Sequence, residues 1–210
     1  MITLVLVDDH AVTRAGIRAI LSAAPDIEIV GEAENGDAVQ ELVRKALPRI
    51  LLLDLKMPGM RPAEIEKWVR IHYPETVTLV LTAHDRDSYL TEMIDAGAAG
   101  LIDKNASGER LLGAIRRAAM GEILFDSAQL DRARNWREAA GKKWESLTKR
   151  EREILRLLVQ GFDNAHIAEA LTVTSKTVAY HITNILEKLE VSSRQEAVAW
   201  VHKYLPEDFE

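Results

Sequence analysis

Apolar positions recur along the chain in two rhythms, and the change between them divides it. From Met1 to about Gly121, short aliphatic runs at residues 2–7, 27–30, 50–53, 77–82 and 99–102 are separated by helical spacing. That spacing, three and four positions apart, joins Ile17, Ile20 and Leu21; Val39, Leu42 and Val43; Ile65, Trp68 and Val69; and Leu111, Leu112 and Ile115. Runs with no polar alternation suit strands buried on both faces of a parallel sheet. Strand–helix alternation then predicts an α/β, doubly wound, five-stranded parallel sheet of order 2-1-3-4-5, with strands one and three side by side.

After Ser146 the strand rhythm is gone. Thr148 and Glu151 have capping-box spacing ahead of Ile154, Leu155, Leu157 and Leu158, and Gly161 ends that helix. A short helix capped by Asn164, a tight turn at residues 172–174, a helix over 175–189 and a last one opened by Ser193 complete a small all-α domain. The short turn between its second and third helices predicts a helix-turn-helix. The third helix buries Val178, Ile182, Ile185, Leu186 and Leu189. Its other face carries Lys176, Tyr180, Thr183 and Glu187, flanked by Ala179 and Asn184, with Thr177, His181 and Lys188 to one side. Residues 1–121 and 146–210 thus read as two domains. Residues 122–145 read as a partly helical linker, most flexible at Gly141-Lys142-Lys143.

Composition narrows the class. At 210 residues with 47% hydrophobic content the chain can bury two modest cores. Without cysteine there are no disulfides and no thiolate chemistry. No apolar run is long enough to span a membrane, and the first residues enter a strand directly, so no membrane is expected and a cytoplasmic location is. The formal charge is −6. Residues 142–210 carry 10 Lys and Arg against 11 Asp and Glu, so the helical domain is not basic.

The candidate chemistry lies where strands end. The first aliphatic run stops at Asp8-Asp9, and the third at Asp54, just before Lys56-Met57-Pro58-Gly59. Three carboxylates at adjacent strand ends repel unless a cation or protons intervene, and an all-oxygen set favours Mg²⁺. Thr82 ends the fourth strand and Lys104 follows the fifth. A hydroxyl and an ammonium around such a cluster suit phosphoryl oxygens. His10 and Arg14 fall one helical turn apart, with His10 read as a solvated helix residue. An aspartyl phosphatase would want a second carboxylate two residues past Asp54, where Lys56 stands. A dinucleotide site would want glycines after the first strand.

Asp8-Asp9, Asp54 with Met57-Pro58-Gly59, Thr82-Ala83 and Lys104 resemble the receiver domain of two-component response regulators, a flavodoxin-like fold, over roughly residues 1–121. The resemblance implies that Asp54 accepts a phosphoryl group from a sensor histidine kinase. It implies that Asp9, Asp54 and the Lys56 carbonyl hold Mg²⁺, with Asp8 acting through water. Thr82 and Lys104 would contact the phosphoryl group. Leu101 stands where the family often has an aromatic switch residue, Asn105 where proline often follows the lysine, and Arg61-Pro62 where a small turn is usual. Lys56 and His84 stand where the family tunes hydrolysis.

Leu147-Thr148-x-Arg150-Glu151, Gly161, Ile167-Ala168, Thr177-Val178, His181 and Ile185-Leu186-x-Lys188-Leu189 resemble the LuxR-type DNA-binding domain. With the receiver this gives the NarL/FixJ class of transcriptional regulators. The resemblance implies no enzyme beyond self-catalysed phosphoryl acceptance and autodephosphorylation. Promoter DNA would be met by Ser175, Lys176, Thr177, Ala179, Tyr180, His181, Thr183, Asn184 and Lys188. A near-neutral domain gains little from counterion release, so a single copy is expected to bind weakly and a homodimer on two half-sites to supply the affinity. The alternative is a factor of the same architecture controlled by ligand or dimerisation without phosphorylation.

Overall fold

Ile50–Asp54 (β3) is buried at all five positions, as an aliphatic strand covered on both faces must be. Around it the computed structural model, which describes residues 1–83 and 86–205, arranges Ile2–Val7 (β1), Ile27–Ala33 (β2), Val77–Thr82 (β4) and Gly100–Asp103 (β5) as one parallel sheet of order β2-β1-β3-β4-β5. This is the expected order. Helices Ala11–Ser22 (α1), Val39–Ala46 (α2), Pro62–His72 (α3), Asp87–Ala96 (α4) and Gly108–Ala119 (α5) cover its faces. Leu4, Leu6, Ile50, Leu52, Leu79 and Leu81 pack with α1 and α5 on one side. Val5, Val7, Leu51 and Leu53 pack with α2 and α3 on the other.

Helix α4 is one the apolar spacing did not indicate. Its buried side mixes Leu90 and Met93 with Ser88, Tyr89 and Thr91, and the Thr91 hydroxyl donates back to the Asp87 carbonyl at 2.7 Å. Polar groups satisfied within the helix blur the pattern. Pro62 opens α3, where its missing N–H costs nothing. Gly59 (φ +89°) shapes the preceding loop. A Cβ there would lie 2.8 Å from the Asp37 carboxylate, which accepts the Met60 N–H at 2.9 Å.

The chain divides into two units between Leu130 and Asp131. Helix α6 (Ser127–Trp136) runs through a π-helical turn, Arg137–Gly141, into α7 (Lys142–Ser146). The expected flexible point at Gly141 is therefore helical interior. Gly141 is buried, and Trp136, Ala140 and Trp144 belong to the hydrophobic cluster of the second unit. That cluster is completed by α8 (Lys149–Val159), α9 (Asn164–Ala170), α10 (Ser175–Leu189) and α11 (Arg194–Tyr204). The Thr148–Glu151 capping box forms in both directions. The cap of α9 falls one residue earlier than expected. Asp163, not Asn164, accepts the N–H groups of Ala165 and His166, so its charge also faces the helix N-terminus. Among the described residues no helix is long and apolar enough to cross a membrane.

Candidate functional site

The register of the sheet builds the acidic site. Val7 lies opposite Leu53, so the residues that follow, Asp8 and Asp54, leave neighbouring strands at the same edge. Both are almost fully buried. Asp9 is more exposed and stays on the rim, paired with His10 Nδ1 at 2.6 Å. Ligand-capable atoms of Asp8, Asp9, His10 and Asp54 all fall within 4.8 Å of one another. One backbone contact orients each buried acid: Asp8 Oδ1 accepts the His10 N–H at 2.8 Å, and Asp54 Oδ1 the Lys56 N–H at 3.4 Å.

Lys104 follows β5, and its Nζ lies 2.8 Å from both Asp8 Oδ2 and Asp54 Oδ2. The one ammonium is thus shared between the two buried Oδ2 atoms. Burial raises the Asp54 pKa and the Asp8 carboxylate adds to this, while Lys104 opposes both. Burial alone would lower the Lys104 pKa, but its two carboxylate partners outweigh it and the net shift is upward. Two facing carboxylates that share a single cation, with Asp9 at the rim, can accept a further hard cation, and the oxygen-rich donor set suits Mg²⁺.

Thr82 sits buried at the end of β4, opposite Asp103 in register, and its carbonyl accepts the Lys104 N–H at 2.8 Å. The strand ends thus bring Thr82 and Lys104 to the same edge as the acids. Leu101, partly buried, lines a cleft of about 210 Å³ with Thr82, Ala83, Asp103, Arg110 and Gln129. The Asn105 N–H donates to Asp103 Oδ1 at 2.7 Å, which makes the turn after β5 without proline. His84 lies outside the described residues.

Arg14 was not singled out for the site. Its guanidinium is largely buried, donates to the Asp8 carbonyl at 2.6 Å and pairs with Glu34. It therefore braces the backbone that carries Asp8. Its spacing from His10 on α1 was legible, but its partner on the β2 side was not.

In the second unit, α10 buries Val178, Ile185 and Leu189, while Ser175, Lys176, Ala179, Tyr180, Thr183 and Glu187 are exposed. The Thr174 hydroxyl caps the helix and also bonds Thr177 Oγ1 at 2.9 Å. His181 and Asn184 are partly buried, and the His181 ring lies edge-on to Tyr180, centroids 5.7 Å apart. Lys188, on the same flank, is partly buried. Its ammonium is held at 2.7 Å by Glu151, which is buried in α8. This pairing across 37 residues has no local sequence signal.

Two family models match the chain: "Response regulator receiver domain" over residues 4–116 and "Bacterial regulatory proteins, luxR family" over 145–201. The transcriptional regulatory protein LiaR of Bacillus subtilis is 38% identical over 206 residues, covering 97% of this chain and 98% of that protein. The nitrate/nitrite response regulator NarL of Escherichia coli K12 is 36% identical over 205 residues, covering 96% and 95%. A structure of RcsB from Salmonella enterica serovar Typhimurium, bound to the promoter rprA in the presence of phosphomimetic BeF3⁻, aligns with a TM-score of 0.61. It is 25% identical and covers 96% of this chain and 99% of that one.

Proposed function

The chain belongs to the two-component response regulators that join a receiver domain to a LuxR-type DNA-binding domain, and from that membership we propose that Asp54 accepts a phosphoryl group from a sensor histidine kinase and thereby controls promoter binding. The observation that carries this reading is the Lys104 ammonium 2.8 Å from both Asp54 and Asp8. A buried carboxylate with a mobile cation beside it can receive a phosphoryl group and hand that cation to the new anion. Thr82, at the same strand edge, is suited to follow a phosphoryl oxygen.

Asp9, Asp54 and the Lys56 carbonyl would hold Mg²⁺, with Asp8 acting through water. When bound, the ion supplies positive charge against the phosphoryl oxygens. Autodephosphorylation by water belongs to the same reading. So do residues 1–121 and 146–210 as the functional domains, and a cytoplasmic location. Two charge-assisted hydrogen bonds from Thr82 and Lys104, at ~1.5–3 kcal/mol each, only just reach the ~5.5 kcal/mol of a full 1:99 to 99:1 switch. Phosphorylation therefore acts as a population shift, made effective by pairing two chains on DNA. Ser175, Lys176, Thr177, Ala179, Tyr180, His181, Thr183, Asn184 and Lys188 form the DNA-facing surface of each copy.

Incubation of the full chain with acetyl phosphate and Mg²⁺, followed by mass spectrometry, tests the first step. One phosphoryl adduct is expected on the wild type and none on Asp54→Asn. An unmodified wild type, with DNA binding that ignores the treatment, would instead favour control without phosphorylation.

A further inference from the structure

We propose that the exposed face of α10 recognises thymine-bearing half-sites through their C5-methyl groups, with no guanine- or adenine-reading fork at its centre. This rests on α10 being the DNA-facing helix.

The exposed stripe runs from Lys176 through Ala179, Tyr180 and Thr183 to Glu187. Guanine is usually read by Arg or Lys and adenine by Asn or Gln, in bidentate pairs. None of these four residue types stands among the exposed residues of the helix between Lys176 and Glu187. The cation further along, Lys188, is engaged by Glu151 at 2.7 Å. Asn184 is partly buried. What the centre offers is largely apolar, with the Tyr180 hydroxyl at the tip of its ring. Ala179 presents a methyl group. Tyr180 is 65% exposed, with one side of its ring against the His181 imidazole. The Thr183 hydroxyl donates to the Ala179 carbonyl at 3.2 Å, which leaves its γ-methyl as the free contact.

In a major groove, the apolar group within reach of such a surface is the thymine methyl. Glu187, at the far end of the stripe, is an acceptor suited to a cytosine amino group and unfavourable beside phosphate. Lys176, in the first turn and outside that centre, is the exposed cation of the stripe. The centre thus selects chiefly by methyl packing rather than by a bidentate hydrogen-bonding fork.

The test is selection of binding sites from a random synthetic duplex pool by the full chain treated with acetyl phosphate and Mg²⁺. Single thymines of the selected site are then replaced by deoxyuridine, which lacks only the methyl group. Each methyl that is packed should weaken binding about fourfold when removed. Tyr180→Ser, at an exposed position, should bind more weakly and lose the deoxyuridine effect at one base pair. The proposal is overturned if every thymine tolerates deoxyuridine, or if the selected half-sites are fixed by guanines sensitive to 7-deazaguanine. A pool that yields no enriched duplex would overturn the DNA-facing role of α10 itself, a result distinct from either of these.

Discussion

Lys188 of α10 and Glu151 of α8 form an ion pair at 2.7 Å, with the carboxylate almost wholly buried. The same carboxylate accepts the Thr148 N–H at 2.7 Å, so one group caps α8 and ties α10 to it. Burial works against the charged form of Glu151, but Lys188 and Thr148 outweigh it and the pKa is lowered. A lowered carboxylate pKa means that the stabilisation is complete above the ordinary glutamate range and fades as pH falls through the folded value. Lys188→Met should cost about 1–3 kcal/mol at pH 7, below the ~3–5 kcal/mol of a fully buried broken pair because the lysine is partly exposed. Urea unfolding of the full chain followed by tryptophan fluorescence measures this. The loss should shrink on acidification, and an equal loss at acid and neutral pH would exclude the pair as its source.

Glu66, on the buried side of α3, has the opposite sign. Burial raises its pKa to about 7, with the neighbouring Thr78 hydroxyl and Arg70 opposing weakly. The folded chain holds this proton more tightly than the unfolded one. Stability should therefore fall as pH rises from about 4.5 through 7, and level off above that. The full difference is about 3 kcal/mol. Glu66→Gln should flatten the dependence and leave the receiver more stable than wild type at pH 8. Thermal unfolding of both proteins across pH 5–8 gives the comparison.

Removing Lys104 leaves Asp8 and Asp54 facing one another without a shared cation. Lys104→Met should therefore depend more on divalent ions, with Mg²⁺ bound about tenfold tighter or better, since one nearby charge moves such equilibria by ~1–3 decades. Titration calorimetry with MgCl₂ reads this directly. Weaker Mg²⁺ binding in the variant would mean that Lys104 helps to build the ion site rather than competing with it.

The two halves of the molecule were unequally readable from the chain. Strand ends were legible because aliphatic runs stop abruptly at Asp8, Asp54 and Thr82, and one sheet order brings those stops to one edge. The bounds of α10 were equally plain, set by the tight turn at residues 172–174 and a continuous apolar stripe. Helix α4 was not, because Ser88 and Thr91 share its buried side. Nor was the helical course through Gly141, which tertiary packing of Trp136, Ala140 and Trp144 imposes on a glycine-lysine stretch that propensity alone would leave loose. The partners of Arg14 and Lys188 were hidden for a related reason. Both are long side chains whose role is set by a carboxylate distant in sequence.

A dimer requirement follows from charge. With 10 basic and 11 acidic side chains in residues 142–210, one copy should hold duplex DNA no better than ~10⁻⁴–10⁻⁶ M. A half-site duplex should bind at least about a hundredfold more weakly than one with two half-sites in register. Lengthening the spacing by half a helical turn should abolish most of that gain. Fluorescence anisotropy with the three duplexes decides it, and equal affinities would rule out paired binding.

The most direct test joins the two ends of the chain. Binding of the full-length protein to its selected duplex is measured with and without acetyl phosphate and Mg²⁺, for wild type and Asp54→Asn side by side. Tighter binding on treatment of the wild type alone, together with a phosphoryl adduct on Asp54, is the expected result. Equal affinity in all four conditions would contradict the claim that phosphate at Asp54 governs the grip of α10 on DNA.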